Sequence, residues 1–139
     1  MPADPLDLFG RLVAAQNAHD VDAMVACFHA DYRSEQPLFP ARVFRGADQV
    51  RTNWSTIFAA VPDFRGEVLR QAADDDTLFA EVHWTGTKAD GSALDERGVF
   101  IAGVRGARIA WARIYVDEVH GDAGDIDEAV RHIAGTDQR

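Results

Sequence analysis

The stretch TLFAEVHWTGT (Thr77–Thr87), a turn at Ala89-Asp90-Gly91-Ser92, then Leu94–Gly103 and ARIAWARIYVDE (Ala107–Glu118) decide the fold. β-Branched and aromatic residues recur there between Gly and Asp, and no helical period intervenes, so the run reads as consecutive strands. Phe64–Ala73 adds one more strand ahead of the exposed acidic turn Asp74-Asp75-Asp76. Upstream of it the chain has helical periods around a single short strand. Helices set apart from a long antiparallel meander mean an α+β domain. The expected shape is a cone: a strongly bent antiparallel sheet wrapped around N-terminal helices, enclosing an apolar pocket. Gly66, Gly86 and Gly98 can relieve the bending strain.

Asp4 caps a first helix with Pro5 at its first position, and Leu6, Phe9, Leu12, Val13 and Gln16 follow at helical spacing. Asp20 caps a short second helix carrying Met24, Val25 and Phe28. The chain then turns at His29-Ala30-Asp31 into a strand over Tyr32–Leu38, ended by Pro37 and Pro40. A third helix begins at Arg45-Gly46-Ala47-Asp48, buries Val50, Trp54, Ile57 or Phe58, and Val61, and stops at Pro62. A tail helix over Asp125–Ala134 has Ile126, Val130 and Ile133 on its apolar side. All 139 residues form one domain, with its core at about 6–118 and the last helix at about 125–134.

The formal net charge is −9. Nucleic acid and anionic membrane surfaces both want a basic face, so neither is expected as a partner. No apolar run is long enough to span a bilayer, and the cytoplasm is the expected location. Cys27 is the lone cysteine, beside Met24 and Phe28, and reads as a small core residue. The five histidines (His19, His29, His83, His120, His132) show no His-x-His or His-x-x-x-His spacing, so no metal is expected.

Strand and helix periods sort the remaining candidates by face. Tyr32, Ser34 and Gln36 face inward on the first strand, Trp54 and Phe58 come from the third helix, and Val82, Trp84, Ala110, Ala112 and Ile114 from the meander. The two tryptophans either wall a site or fill the core. The polar Ser34 and Gln36 each need a partner there. Of these, Tyr32, Ser34, Gln36, Trp54, Phe58, Val82, Trp84 and Ile114 are the expected contacts for a small apolar molecule. Glu81 and His83 alternate to the outer face. So do Phe79, Val99, Ile101, Ile109, Trp111, Arg113 and Tyr115, a face too apolar for a lone sheet in water. It predicts a homodimer through Phe79, Ile101, Ile109, Trp111 and Tyr115, unless the tail helix folds back over it.

NAHDVDAMVACFHADY (Asn17–Tyr32), FRGADQVRTNW (Phe44–Trp54), VHWTGTKADG (Val82–Gly91) and the closing Tyr-x-Asp of Ala107–Glu118 together resemble the nuclear-transport-factor-2-like superfamily. Within it the chain is most similar to the SnoaL-like polyketide cyclase and ketosteroid isomerase-like group. The resemblance implies the cone fold and no cofactor. It also locates two proton-transfer positions. The isomerases' base, an aspartate before a proline on the first strand, matches Gln36; the last-strand aspartate of cyclases and limonene epoxide hydrolases matches Ile114. Neither residue takes a proton from a carbon acid at neutral pH. Two readings follow. One is a binding module that kept the cone and lost the chemistry. The other is a cofactor-free cyclase, isomerase or epoxide hydrolase acting on a polyketide-, steroid- or terpene-like substrate. Its dyad would join Tyr32, Ser34 or Gln36 to Glu96, Arg97 or His83.

Overall fold

A computed structural model describes residues 4–136. Helices α1 (Pro5–Asn17) and α2 (Val21–Val25) precede strand β1 (Phe28–Glu35). A 3-10 turn (Pro40–Arg42) and the two-residue β2 (Phe44–Arg45) lead into α3 (Ala47–Ala60). Then come β3 (Arg65–Asp74), β4 (Thr77–Thr87), β5 (Ala93–Arg105), β6 (Arg108–Glu118) and α4 (Ile126–Ala134). Carboxylates start three of the helices: Asp4 accepts from the Leu6 amide at 2.9 Å and Asp20 from Ala23 at 3.0 Å, as the sequence anticipates, and Asp125 accepts from Glu128 at 3.0 Å.

The strands form one curled, unclosed sheet in the order β2-β1-β6-β5-β4-β3. Only the β1–β6 pairing is parallel. The cone fold expected from the sequence is the one observed. Residues facing the hollow line up in rows across the strands. Ser34, Ala112, Ala102 and Leu78 form the deepest row, followed by Ile114, Phe100 and Ala80, then Val116, Gly98, Val82 and Val68. The last row, at the rim, reads Glu118, Glu96, Trp84, Gly66. Leu8, Phe9, Leu12 and Ala15 of α1, with Met24 and Val50, close over the deep rows to make the core.

Several boundaries move. Helix α2 ends at Val25, and Phe28 opens β1 instead of closing a helix. The Cys27 carbonyl already accepts from the Ile109 amide at 2.8 Å, so pairing with β6 begins before the expected turn. Strand β1 stops at Glu35 because the Phe39 amide bonds the Gln36 carbonyl at 2.8 Å, making residues 36–39 a turn. Ile109 is a correction of substance. It is 1% exposed and belongs to the core, not to the outer face. Gly103 pairs with Trp111 but Val104 pairs with Ile109, so β6 carries one extra residue there and the alternation flips. Helix α4 does not cover the outer face: Ile126 and Ile133 are 74% and 84% exposed.

One junction fixes how the helices sit on the sheet. Asn17 donates from Nδ2 to the Gly66 carbonyl at 2.9 Å, and its Oδ1 accepts from the Gly66 amide at 2.7 Å. The side chain thereby pairs with the free edge of β3 as another strand would. Next to it, His19 donates from Nε2 to the Phe64 carbonyl at 2.9 Å. Asn17→Ala is expected to leave both Gly66 groups without a protein partner and to cost about 1–3 kcal/mol. A shift of the urea midpoint at unchanged slope measures it. No shift would mean that water replaces the amide at no cost.

Candidate functional site

The hollow of the cone holds a cavity of about 490 Å³. Its apolar wall comes from Phe9, Leu12 and Val13 of α1, Val50, Trp54 and Ile57 of α3, and Val82, Phe100, Ile114 and Val116 of the sheet. The Trp54 and Trp84 rings meet edge to face at 5.6 Å, and Phe64 meets Trp54 in the same way at 5.2 Å. Such contacts fix both indoles in place and leave part of each to the cavity.

Polar groups enter this wall at separate places. Deepest are Tyr32 and Ser34, 2% and 1% exposed, with their hydroxyls hydrogen-bonded to each other. Burial pushes the Tyr32 phenol up to about 12, with the Ser34 hydrogen bond acting the other way, so it stays a neutral hydrogen-bonding group. Beside the 3-10 turn, the Gln36 Oε1 accepts from Arg42 Nη1 at 2.9 Å, and the same guanidinium lies 3.8 Å above the Phe39 ring. At the rim stand Glu96 and Glu118, with Lys88 Nζ 3.1 Å from the Glu118 carboxylate. The Glu96 carboxyl sits above its ordinary range, first because it is partly buried and then because Asp117 and Glu118 repel its charge; Lys88 and Arg42 partly offset this. Gln16 reaches in from α1 above Gly66 and is 6% exposed.

Tyr32, Ser34, Gln36, Trp54, Val82, Trp84 and Ile114 all stand on the cavity wall. Phe58 does not. Successive turns of α3 bring Val50, Trp54 and Ile57 to the cavity, and Phe58 lies to the side, stacked on the His19 ring at 4.4 Å. His83 and Arg97 fall on the outer face, where His83 Nε2 donates to Asp95 at 2.6 Å. Of the three titratable partners considered for a dyad, Glu96 alone reaches the cavity. Cys27 is buried and donates weakly to the Ala23 carbonyl at 3.5 Å; burial raises its thiol, which makes it a poor nucleophile. Among the described residues no three His, Cys, Asp or Glu side chains group as metal ligands would. Sequence reasoning missed Gln16 and Arg42. A polar residue on the apolar stripe of α1 was a usable signal for Gln16, whereas Arg42 owes its place to a turn with no strong signature.

A family model described as a SnoaL-like domain matches residues 9–112. No curated protein matches the chain. Among solved structures, an uncharacterised protein of cystatin fold from Novosphingobium aromaticivorans is 22% identical with a TM-score of 0.67, over 80% of this chain and 97% of that one. A provisionally designated SnoaL-like polyketide cyclase from Jannaschia is 15% identical with a TM-score of 0.69, covering 81% and 85%. A protein of ketosteroid isomerase-like fold from Catenulispora acidiphila, solved with trimethylamine, is 14% identical with a TM-score of 0.69, covering 78% and 84%. At these identities the likeness is one of fold.

The position of Glu96 has a consequence for stability. Its folded carboxyl lies above the ordinary value of 4.5, so the folded state binds its proton more tightly than the unfolded chain does. Ionised Glu96 therefore opposes folding above its raised pKa, and the penalty fades as the pH falls towards 4.5. Glu96→Gln is expected to be more stable than wild type at about pH 8 and to lose that advantage by about pH 4. Urea midpoints at three pH values test this; a constant difference between the two proteins would show that charge is not the cause.

Proposed function

We propose, from the premise that this chain belongs to the SnoaL-like domain family, that it binds a small, largely apolar molecule in the hollow of the cone. The observation that carries this is the cavity itself: about 490 Å³ within a mainly aromatic and aliphatic wall that polar side chains interrupt in a minority of places. Small-molecule sites have this composition, with apolar area supplying affinity and a few polar groups setting orientation. An aromatic polyketide, steroid or monoterpene skeleton matches the rings of Trp54 and Trp84. Thermal-shift titration with these three classes should raise the melting temperature for at least one, since a ligand held only by the folded state stabilises it. Trp84→Ala should abolish the shift, and a wild type deaf to all three classes counts against the reading.

A second reading has one observation in its favour. Glu96 is a carboxyl on the cavity wall held above its ordinary range, as a general acid or base near neutrality must be. Gln36 and Ile114 leave the family's usual positions without a base, and of the carboxyls lining this cavity Glu96 is the one with a raised pKa, which makes it the candidate for cofactor-free proton transfer.

We also propose that the outer face of the sheet pairs with a second copy of the chain. Phe79, Val99 and Trp111 are exposed there beside Ile101 and Tyr115, with Ile109 withdrawn into the core. Glu81, Arg97 and Arg113 sit among them, so a two-fold arrangement can bring opposite charges together around an apolar centre. Sedimentation at micromolar concentration should show a dimer, and Trp111→Glu a monomer. A monomeric wild type would falsify this; a mutant still dimeric moves the interface elsewhere.

A further inference from the structure

We propose that the rim of the cavity seats a protonated amine over the Trp84 indole, between Glu96 and Gln16, so that the pocket prefers apolar amines to neutral or anionic compounds of the same shape. This rests on the reading that the cavity binds a small molecule. Three independent features converge on that spot. The first is register: Gly66, Trp84 and Glu96 are direct neighbours across β3, β4 and β5, with Trp84 in the middle. Gln16 lies against Gly66, where a Cβ would strike its Oε1, so the amide and the Glu96 carboxyl flank one indole.

The second feature is unused hydrogen-bonding capacity facing the cavity. Gln16 is 6% exposed, stands on the cavity wall, and its side-chain amide makes no hydrogen bond among the described residues. Among the described residues no side-chain nitrogen or oxygen is both buried and without a partner, so this amide opens onto the cavity and can pair with a polar group that arrives there. The Glu96 carboxyl likewise has no hydrogen bond or ion pair among the described residues. An ammonium can donate to both oxygens at once.

The third feature is the sign of the field. Glu96, Asp117 and Glu118 gather at the rim, Glu67 also lines the cavity, and Lys88 and Arg42 act against them. Lys88 is committed to Glu118, and Arg42 to Gln36 and the Phe39 ring. What remains uncompensated is negative, within a chain of net charge −9. The repulsion that Asp117 and Glu118 exert on Glu96 is relieved by a cation, and the indole faces add cation–π attraction. A carboxylate ligand meets the opposite field.

The test uses one hydrophobic body with three head groups: 4-phenylbutylamine, 4-phenylbutanol and 4-phenylbutyrate, titrated calorimetrically into the full chain at low salt and about pH 8. The amine should bind about tenfold more tightly than the alcohol, and the butyrate most weakly. Glu96→Gln should bring the amine down to the alcohol's affinity and leave the alcohol unchanged. Lowering the pH through the Glu96 titration should weaken the amine alone. Gln16→Met, which keeps the volume, should weaken the amine by a smaller factor. An amine bound no better than the alcohol, or a preference that survives Glu96→Gln, overturns the inference while the bound alcohol leaves the cavity reading standing. If none of the three binds, both fall.

Discussion

Two hydrogen bonds between the Asn17 side chain and the backbone of Gly66 hold the end of α1 against the open edge of β3, and the cavity depends on that junction. Helix α1 supplies Phe9, Leu12, Val13 and Gln16 to the wall, and its position along the sheet decides which sheet residues they face. A helix lying on an apolar sheet has many nearly equivalent placements, because hydrophobic contact is not directional. A side chain that imitates a strand removes that freedom. It also covers part of the free edge of β3, where unpaired groups would otherwise invite another strand. At Gly66 an added Cβ would meet the far end of the Gln16 side chain, which would have to swing aside. The same Cβ would also stand 3.4 Å from Trp84 Cδ1, so the glycine leaves that edge of the indole without a neighbouring side chain from position 66.

Curvature supplies the hollow. At Gly98 the backbone of β6 comes so close that a Cβ would collide with the Tyr115 carbonyl, so a side chain there would force the strands apart. Bulges at 103–104 against β6 and at 68–70 on β3 add bends on either side of it. Ala80, Ala102 and Ala112 line the deep rows with small, buried side chains, and α1 can approach the sheet there. Toward the rim the side chains grow and become polar. The cone is closed by packing at one end and open to water at the other.

The sequence revealed the fold because strand alternation and helix period are strong signals over long segments. The same alternation placed Tyr32, Ser34, Gln36, Val82, Trp84 and Ile114 on the cavity wall. It failed at Ile109 because the bulge inserts one residue, and nothing in ARIAWARIYVDE marks which residue is extra. It could not separate Ile57 from Phe58, since both lie near the edge of one helical stripe and tertiary contact with His19 decided between them. Glu96 and Arg97 were indistinguishable until register was known, because a shift of one residue exchanges the faces. Gln16 and Arg42 acquire meaning only from partners distant in sequence, Gly66 and Gln36 for the two respectively.

The polar groups of the cavity divide its chemistry. Tyr32 and Ser34 satisfy each other at the deep end, and Gln36 is engaged by Arg42, so neither place offers a free proton acceptor. Among the carboxyls that line the cavity, Glu96 is the one that partial burial holds above its ordinary range, at the opposite end of the hollow from the deep hydroxyls. Binding and proton transfer make opposite demands on it. A bound ammonium favours the ionised carboxylate and pulls its pKa down, which improves recognition and removes a general acid. A neutral ligand leaves the carboxyl raised and able to exchange a proton with whatever lies over Trp84. On the proposed reading of the cavity, the charge of a ligand would decide whether Glu96 serves as a counter-ion or as an acid–base group, since the same geometry suits either role.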